Sequence, residues 1–302
     1  MDIETTSDEE YTVRKVGRPF TKDYRVYFER RKDGIPISPF HDIPLYHDKD
    51  KGILNMVVEV PRWSNAKFEI SRDISLNPIV QDTLSDEPRF VKSCFPYKGY
   101  LWNYGALPQT WEDPTHTDPA THKKGDNDPL DACEISRHSL IPTGGVRRVK
   151  PLGILGLIDT DETDWKVVVI DVDDPLAEKL DDIEDVEREL PGLLDATRDW
   201  FRIYKVPDGG RGNGFAFGGA YRDRKLVKGE ADSGKISLEN TTLKGTPGKL
   251  DPEEVKLPPG EDLSPAPTPR DIEEWFFVDR EKLDREGLSL DVERLDIVLD
   301  IK

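Results

Sequence analysis

The run Val149-Lys150-Pro151-Leu152-Gly153-Ile154-Leu155-Gly156-Leu157-Ile158 is followed, after a polar break, by Trp165-Lys166-Val167-Val168-Val169-Ile170-Asp171-Val172. Both runs are apolar and rich in β-branched residues, so each reads as a buried strand, the first bent at its two glycines. Working outward, Ile53-Leu54-Asn55-Met56-Val57-Val58-Glu59-Val60 is a third strand, stopped by Pro61. Ala66-Lys67-Phe68-Glu69-Ile70 alternates polar and apolar, which aims Lys67 and Glu69 at one face and Phe68 and Ile70 at the other. Residues 132–135 form a short strand, and the β-prone residues between 10 and 30 (Tyr11, Val13, Val16, Tyr24, Val26, Phe28) form a strand or hairpin. Short strands joined by turns, with little helix between them, predict an antiparallel barrel in a mainly β chain with flanking helices. Helix signals come late. Pro191 suits a first helical residue, Leu194, Thr197 and Phe201 follow at helical spacing, and Leu193, Trp200 and Tyr204 widen that face to an end near Lys205.

The totals exclude several classes. The 302 residues are 35% hydrophobic and 34% charged, with aromatics enough for a core. A formal net charge of -18 leaves no basic surface for nucleic acid. Acids cluster at 171–189 and after Asp271, where they read as solvated helix faces. Cys94 and Cys133 make no disulfide scaffold and no zinc spacing, so a reduced, cytoplasmic protein is expected. The five histidines (His41, His47, His116, His122, His138) show no ligand spacing. No apolar run approaches the ~20 residues of a membrane span, and Met1-Asp2-Ile3-Glu4 lacks the features of a signal or transit peptide. The glycines of 209–219 do not spell G-x-G-x-x-G and follow a helix, so a surface loop is expected there. Residues 229–270 turn to Lys, Pro, Thr, Glu and Gly and read as an arm or linker, in which the sequon at Asn240 is a chance match. Trp275-Phe276-Phe277 then reads as an apolar anchor, and 280–302 as a surface helix or tail.

The chemistry is concentrated in Gly125-Asp126-Asn127-Asp128-Pro129-Leu130-Asp131, with a second acid pair at Asp159 and Asp164. Three carboxylates within six residues raise one another's pKa, and in a partly buried site they require cations to stay ionised together. Hard divalent cations such as Mg²⁺ take oxygen ligands and are the natural partners. Alone, such a cluster is as often a plain turn. An EF-hand loop does not fit: counted from Asp126, positions 5, 6 and 12 hold Leu130, Asp131 and Arg137, where a ligand, glycine and glutamate are needed. The pattern reads as a magnesium-dependent phosphoryl-transfer enzyme.

Five strings together resemble family I soluble inorganic pyrophosphatases: Val57-Val58-Glu59-Val60-Pro61-Arg62, Asn65-Ala66-Lys67-Phe68-Glu69-Ile70, the 125–131 loop, Glu162-Thr163-Asp164-Trp165-Lys166 and Phe201-Arg202-Ile203-Tyr204-Lys205. Phe40-His41-Asp42-Ile43-Pro44-Leu45 and Asn103-Tyr104-Gly105 look like the fungal and animal branch, which includes the yeast cytosolic enzyme. The likeness runs in order over about 20–230 and resumes weakly at 275–277. It implies a five-stranded OB-like barrel and hydrolysis of pyrophosphate to two orthophosphates, with several Mg²⁺ ions per site. It implies a 1–19 arm, a 20–230 catalytic domain, and an arm, docking segment and tail over 231–302. Carried across residue by residue, Asp126, Asp131 and Asp164 match ligands of the activating metal, and Asp131 also touches a second. Asp159 and Asp164 match ligands of a third, Glu69 is linked to a further one, and Glu59 orders metal-bound water. Asp128 matches the acid that takes the proton from the attacking water. Arg89, Lys67, Tyr104, Lys166, Tyr204 and Lys205 match the groups that hold the two phosphates. The resemblance also implies a homodimer, with Arg62, Trp63 and Trp275 as plausible contacts or as intrachain packing. An interaction subunit with dispensable catalysis is the alternative, kept open by the extension after Arg280.

Overall fold

In the computed structural model, residues 10–137, 140–227 and 257–285 are described. The expectations for 1–9, for Asn240 and the rest of 228–256, for His138 and for the tail from 286 lie outside the described residues. The chain opens with the expected hairpin, β1 (Tyr11–Val16) antiparallel to β2 (Arg25–Arg30), with Tyr11 opposite Arg30 and Val16 opposite Arg25. β3 is Ile53–Val60. β4 is Phe68–Ile70, shorter than the predicted strand because Ala66 makes only an isolated bridge to Phe90. β5 (Ile79–Gln81) joins β2 to β4, and these strands make a small sheet in the order β1, β2, β5, β4.

β6 (Asn103–Ala106), β7 (Asp131–Glu134), β8 (Val146–Asp159) and β9 (Glu162–Asp171) pair with β3 in a ring, β3–β6–β7–β9–β8–β3. The fold is therefore mainly β around a closed five-stranded barrel, which leaves the ring no open edge. Four joints are antiparallel, and β7–β9 is parallel because the β8 strand intervenes in the chain and reverses direction. β8 bends where expected: its register with β9 shifts between Pro151 and Gly153, as at a bulge. β6 gave no strand signal, being short and centred on Gly105. A Cβ there would lie 2.0 Å from the Val57 carbonyl oxygen, so only glycine lets β6 approach β3 this closely.

Strand alternation divides the core in two. Leu54, Met56, Val58, Ala132, Trp165, Val167 and Val169 fill the barrel. Val57, Ala106, Cys133, Leu155, Leu157, Val168 and Ile170 face outward and pack against the small sheet and the helices. α1 (Ile183–Glu189) is one of the acidic faces expected from 171–189, capped by Asp182 and burying Ile183 and Val186. α2 is Leu193–Ile203, with Leu194, Thr197, Trp200 and Phe201 buried. Pro191, expected as the first helical residue, stands before the helix. Leu190 is still bonded to Val186 at the end of α1, so Pro191 and Gly192 form the turn between the helices.

The C-terminal residues lie against the body. Gly17 donates to Glu261 at 2.7 Å and Ala266 to the Pro19 carbonyl at 2.8 Å. Trp275–Phe276 pairs in parallel with Ser93–Cys94. The anchor therefore docks through backbone, and its rings stay largely outside: Trp275 is 44% and Phe277 77% exposed. Arg280 clasps Asp199 of α2 through two nitrogens, the closer at 2.8 Å. Among the described residues, no helix is long and apolar enough to cross a membrane.

Candidate active site

A cavity of about 240 Å³ opens between the outer barrel face, α2 and the β4 edge of the small sheet. It is lined by the acids Glu59, Glu69, Asp126, Asp128, Asp131, Asp159 and Asp164. Lys67, Arg89, Tyr104, Lys166, Tyr204 and Lys205 line it as well, so the acids and the phosphate-holding groups expected from the sequence meet here.

Register places them. Asp164 and Lys166 are two apart on β9 and share its outward face. The parallel joint sets Lys166 opposite Asp131, and the next strand sets Ala106 opposite Asp131, with Tyr104 two residues along β6. The Lys166 ammonium, 3% exposed, bonds to both Asp131 and Asp164 and lies 2.8 Å from the Tyr104 hydroxyl, which donates to Asp131 at 2.5 Å. Across the cavity, Lys67 bonds Glu69 at 2.5 Å and Asp82 at 3.2 Å, and Arg89 bonds the same Asp82 at 2.8 Å. At the foot of α2, Lys205 bonds Asp159, and the Tyr204 hydroxyl donates to Asp159 at 3.3 Å. An aromatic stack fixes this corner. Trp200 lies flat on Tyr204 with centroids 4.8 Å apart, Trp102 stacks on Phe201 at 4.9 Å, and Trp102 donates to Thr197 at 2.9 Å. Glu59, buried on β3, accepts the Ile70 amide at 2.7 Å and ties the barrel to β4.

The acidic loop is shaped by close backbone contact. A Cβ on Gly125 would lie 2.3 Å from the Glu112 carbonyl carbon, so glycine lets residue 112 press onto the loop. Glu112 then brings a carboxylate oxygen within 4.8 Å of those of Asp126 and Asp164. One Glu112 oxygen accepts the Trp165 amide at 3.0 Å, while the buried Oε2 has no hydrogen-bond partner among the described residues. Of the three acids expected around the first cation, Asp126 and Asp164 converge with Glu112, while Asp131 is turned to Lys166 and Tyr104.

Charge crowding shows in the protonation equilibria. Burial and the neighbouring charges of Asp164, Asp128 and Asp131 push Asp126 up to about 9. Burial pushes Asp164 up to about 7 against the pull of Lys166. Burial raises Asp128 to about 6, partly offset by Arg72. Glu59 and Glu112 rise well above the carboxylate range, chiefly by desolvation. Asp159 goes the other way: burial opposes ionisation, and the bond and charge of Lys205 outweigh it. A set of hard oxygen donors, several unable to ionise together and one buried oxygen unbonded, fits divalent cations.

Sequence reasoning missed Glu112, Asp82, Tyr100 and Arg72. Glu112 and Tyr100 carry strongly raised pKa values through burial, Asp82 spaces Lys67 from Arg89, and Arg72 contacts Asp128 at 3.1 Å. None belongs to a short-range motif. Glu112 reaches the loop only because residue 125 is glycine, a signal visible once the two backbones are known to touch.

Residues 56–232 match the family model described as inorganic pyrophosphatase. The inorganic pyrophosphatase of Emericella nidulans is 56% identical, the match covering 89% of this chain and 98% of that one. The Neurospora crassa inorganic pyrophosphatase is 54% identical over 89% and 97%. Among solved structures, inorganic pyrophosphatase from Schistosoma japonicum superposes with a TM-score of 0.73 at 42% identity, covering 89% of this chain and 100% of that one. The N-terminally truncated vacuolar soluble pyrophosphatase of Trypanosoma cruzi, solved in complex with PPi, gives 0.66 at 40% identity over 75% and 90%. With a barrel of this topology, an acid-lined cavity and matches of this extent, the chain belongs to the inorganic pyrophosphatase family.

Proposed function

We propose that this chain hydrolyses inorganic pyrophosphate to two orthophosphates in the cavity described above, with Mg²⁺ as its cation. The observation that carries the reading is the meeting of acids and phosphate-type donors around one cavity in a chain of this family. Pyrophosphate is a polyanion and so is the acid cluster, so the two can share a cavity only with divalent cations between them. Asp126, Asp131, Asp164 and Asp159 would hold the cations, with Glu69 and Glu59 beside them and Glu112 completing the set. Bound there, the ions would neutralise the acids, polarise phosphoryl oxygens and acidify water.

The chain's own groups supply the rest. Asp128, in the acidic loop beside the cation ligands, is the carboxylate that takes the proton of the attacking water. Arg89 grips a phosphoryl group with its planar fork, while Lys67 and Lys166 act as point charges. The lysines bonded to acids can exchange those bonds for phosphate oxygens once divalent charge neutralises the acids. Tyr104 donates to the same group, and charge developing on the transferred phosphoryl is met by these fixed donors. Tyr204 and Lys205, directly after α2, donate to the departing phosphate.

The same proposal includes a catalytic unit over 20–230 flanked by arms over 1–19 and 231–302, a homodimer and a cytoplasmic location. The two free cysteines support a reducing compartment. Trp63, 56% exposed, and Trp275, 44% exposed, support an aromatic contact between copies, and a light-scattering mass of twice 34.4 kDa is expected. Nothing favours an interaction subunit with dispensable catalysis. The test is phosphate release from pyrophosphate by the purified chain, with Mg²⁺ and with EDTA. Fast release with Mg²⁺ and none with EDTA is expected, and the absence of release in both refutes the reading.

A further inference from the structure

We propose that Arg72 is a positioning residue for the reaction, acting through Asp128; this rests on the reading of Asp128 given above. Arg72 stands two residues beyond the end of β4, the strand that carries Glu69. Its Nε lies 3.1 Å from Asp128 Oδ1, and Nη1 donates to the Asn127 carbonyl at 2.8 Å. One rigid planar fork therefore spans the main chain of one loop residue and the side chain of the next, a geometry a lysine cannot reproduce.

The far side of the loop is held independently. Asn127 sits at φ 74°, its amide donates to the Glu112 carbonyl at 2.9 Å, and its side-chain oxygen accepts the Trp111 indole at 2.9 Å. The Asp128 carboxylate has freedom about its own torsions that these bonds do not remove. The charged groups that bear on it are Asp126, Glu69, Asp131, Lys67 and Arg72. Three are acids, and Lys67 is bonded to Glu69 at 2.5 Å and Asp82 at 3.2 Å. Arg72 is thus the cation that aims the carboxylate: it engages Oδ1 and leaves Oδ2 to receive a proton. A role as a mere staple is disfavoured by exposure. The two side chains are 37% and 39% exposed, and ion pairs this open to water add little to stability.

The test is steady-state kinetics on the full chain with magnesium pyrophosphate for Arg72→Met, Arg72→Lys, Asp128→Asn and the double variants, with melting curves alongside. Arg72→Met is expected to lower kcat by ~10–100-fold, as loss of an orienting partner does, with KM within about 3-fold. Arg72→Lys restores part of kcat. In the Asp128→Asn background either Arg72 substitution changes kcat by less than about 3-fold, since groups acting as a unit are non-additive. Unchanged kcat in Arg72→Met, single effects that multiply in the double variants, or a rise in KM at constant kcat would each overturn the inference. If Arg72→Met does not fold, the Arg72→Lys cycle decides by the same criterion. A wild-type chain that releases no phosphate overturns the underlying reading instead.

Discussion

Raising the pH from 6 to 8 without divalent cations should destabilise this protein, against the usual trend for an acidic chain leaving its acid-unfolding range. Asp126 and Asp164 are raised in the fold to about 9 and about 7, whereas both are fully ionised in the unfolded chain above pH 6. The folded state therefore binds more protons, and stability present at low pH is lost as pH climbs towards each folded pKa. One retained proton costs about 1.4 kcal/mol per pH unit. Asp126 and Asp164 together thus account for a loss of about 3 kcal/mol or more over two units, and Glu59 and Glu112, also raised by burial, act in the same direction. Stopping at pH 8 keeps cysteine and tyrosine ionisation out of the window. The assay is urea unfolding in EDTA at pH 6, 7 and 8 at one protein concentration, repeated with saturating Mg²⁺ and with Asp126→Asn. The slope should be negative in EDTA, shallower in Asp126→Asn, and flat or reversed with Mg²⁺, since cation binding needs deprotonated ligands. Flat or rising stability in EDTA, or a slope unchanged by Asp126→Asn, refutes the account of a crowded acid cluster.

Other outcomes follow from single sites. Asp128→Asn should retain Mg²⁺ affinity and lose ~10²–10⁴ of kcat, the span of a general base; wild-type turnover would remove Asp128 from that role. Glu112→Gln should weaken Mg²⁺ binding by ~10–100-fold and raise the melting temperature in EDTA, where burial holds the Glu112 pKa far above its unfolded value. The gain in EDTA arises because Gln removes the cost of keeping a buried acid protonated, and calorimetric titration and melting curves read both effects. Gly105→Ala should destabilise by more than about 3 kcal/mol, since its methyl would meet the Val57 carbonyl at 2.0 Å; a urea midpoint within error of wild type would contradict the close β6–β3 contact.

Much of the fold was legible because the barrel strands carry uninterrupted apolar runs, as in β3, β8 and β9. β6 was hidden: four residues around a glycine hold too little pattern, and its identity comes from partners on both sides. The start of α2 was misplaced because proline suits a first helical turn by local preference, whereas the end of α1 dictated the turn. The clustered acids Asp126, Asp128 and Asp131 stood out by their spacing, whereas Lys67, Arg89, Tyr104, Lys166, Tyr204 and Lys205 were picked out through the family resemblance, and the fold brings all of them to one cavity. Glu112, Asp82 and Arg72 were not legible, since each enters the site through a contact between distant segments.

The most direct measurement is calorimetric titration of Mg²⁺ into the cation-free protein at pH 7, in two buffers of different ionisation enthalpy. If the cavity gathers carboxyls that cannot all be charged until a cation joins them, binding must expel at least about one proton per site. The Asp126→Asn variant should expel fewer. Mg²⁺ binding with no proton release in either buffer would contradict the account.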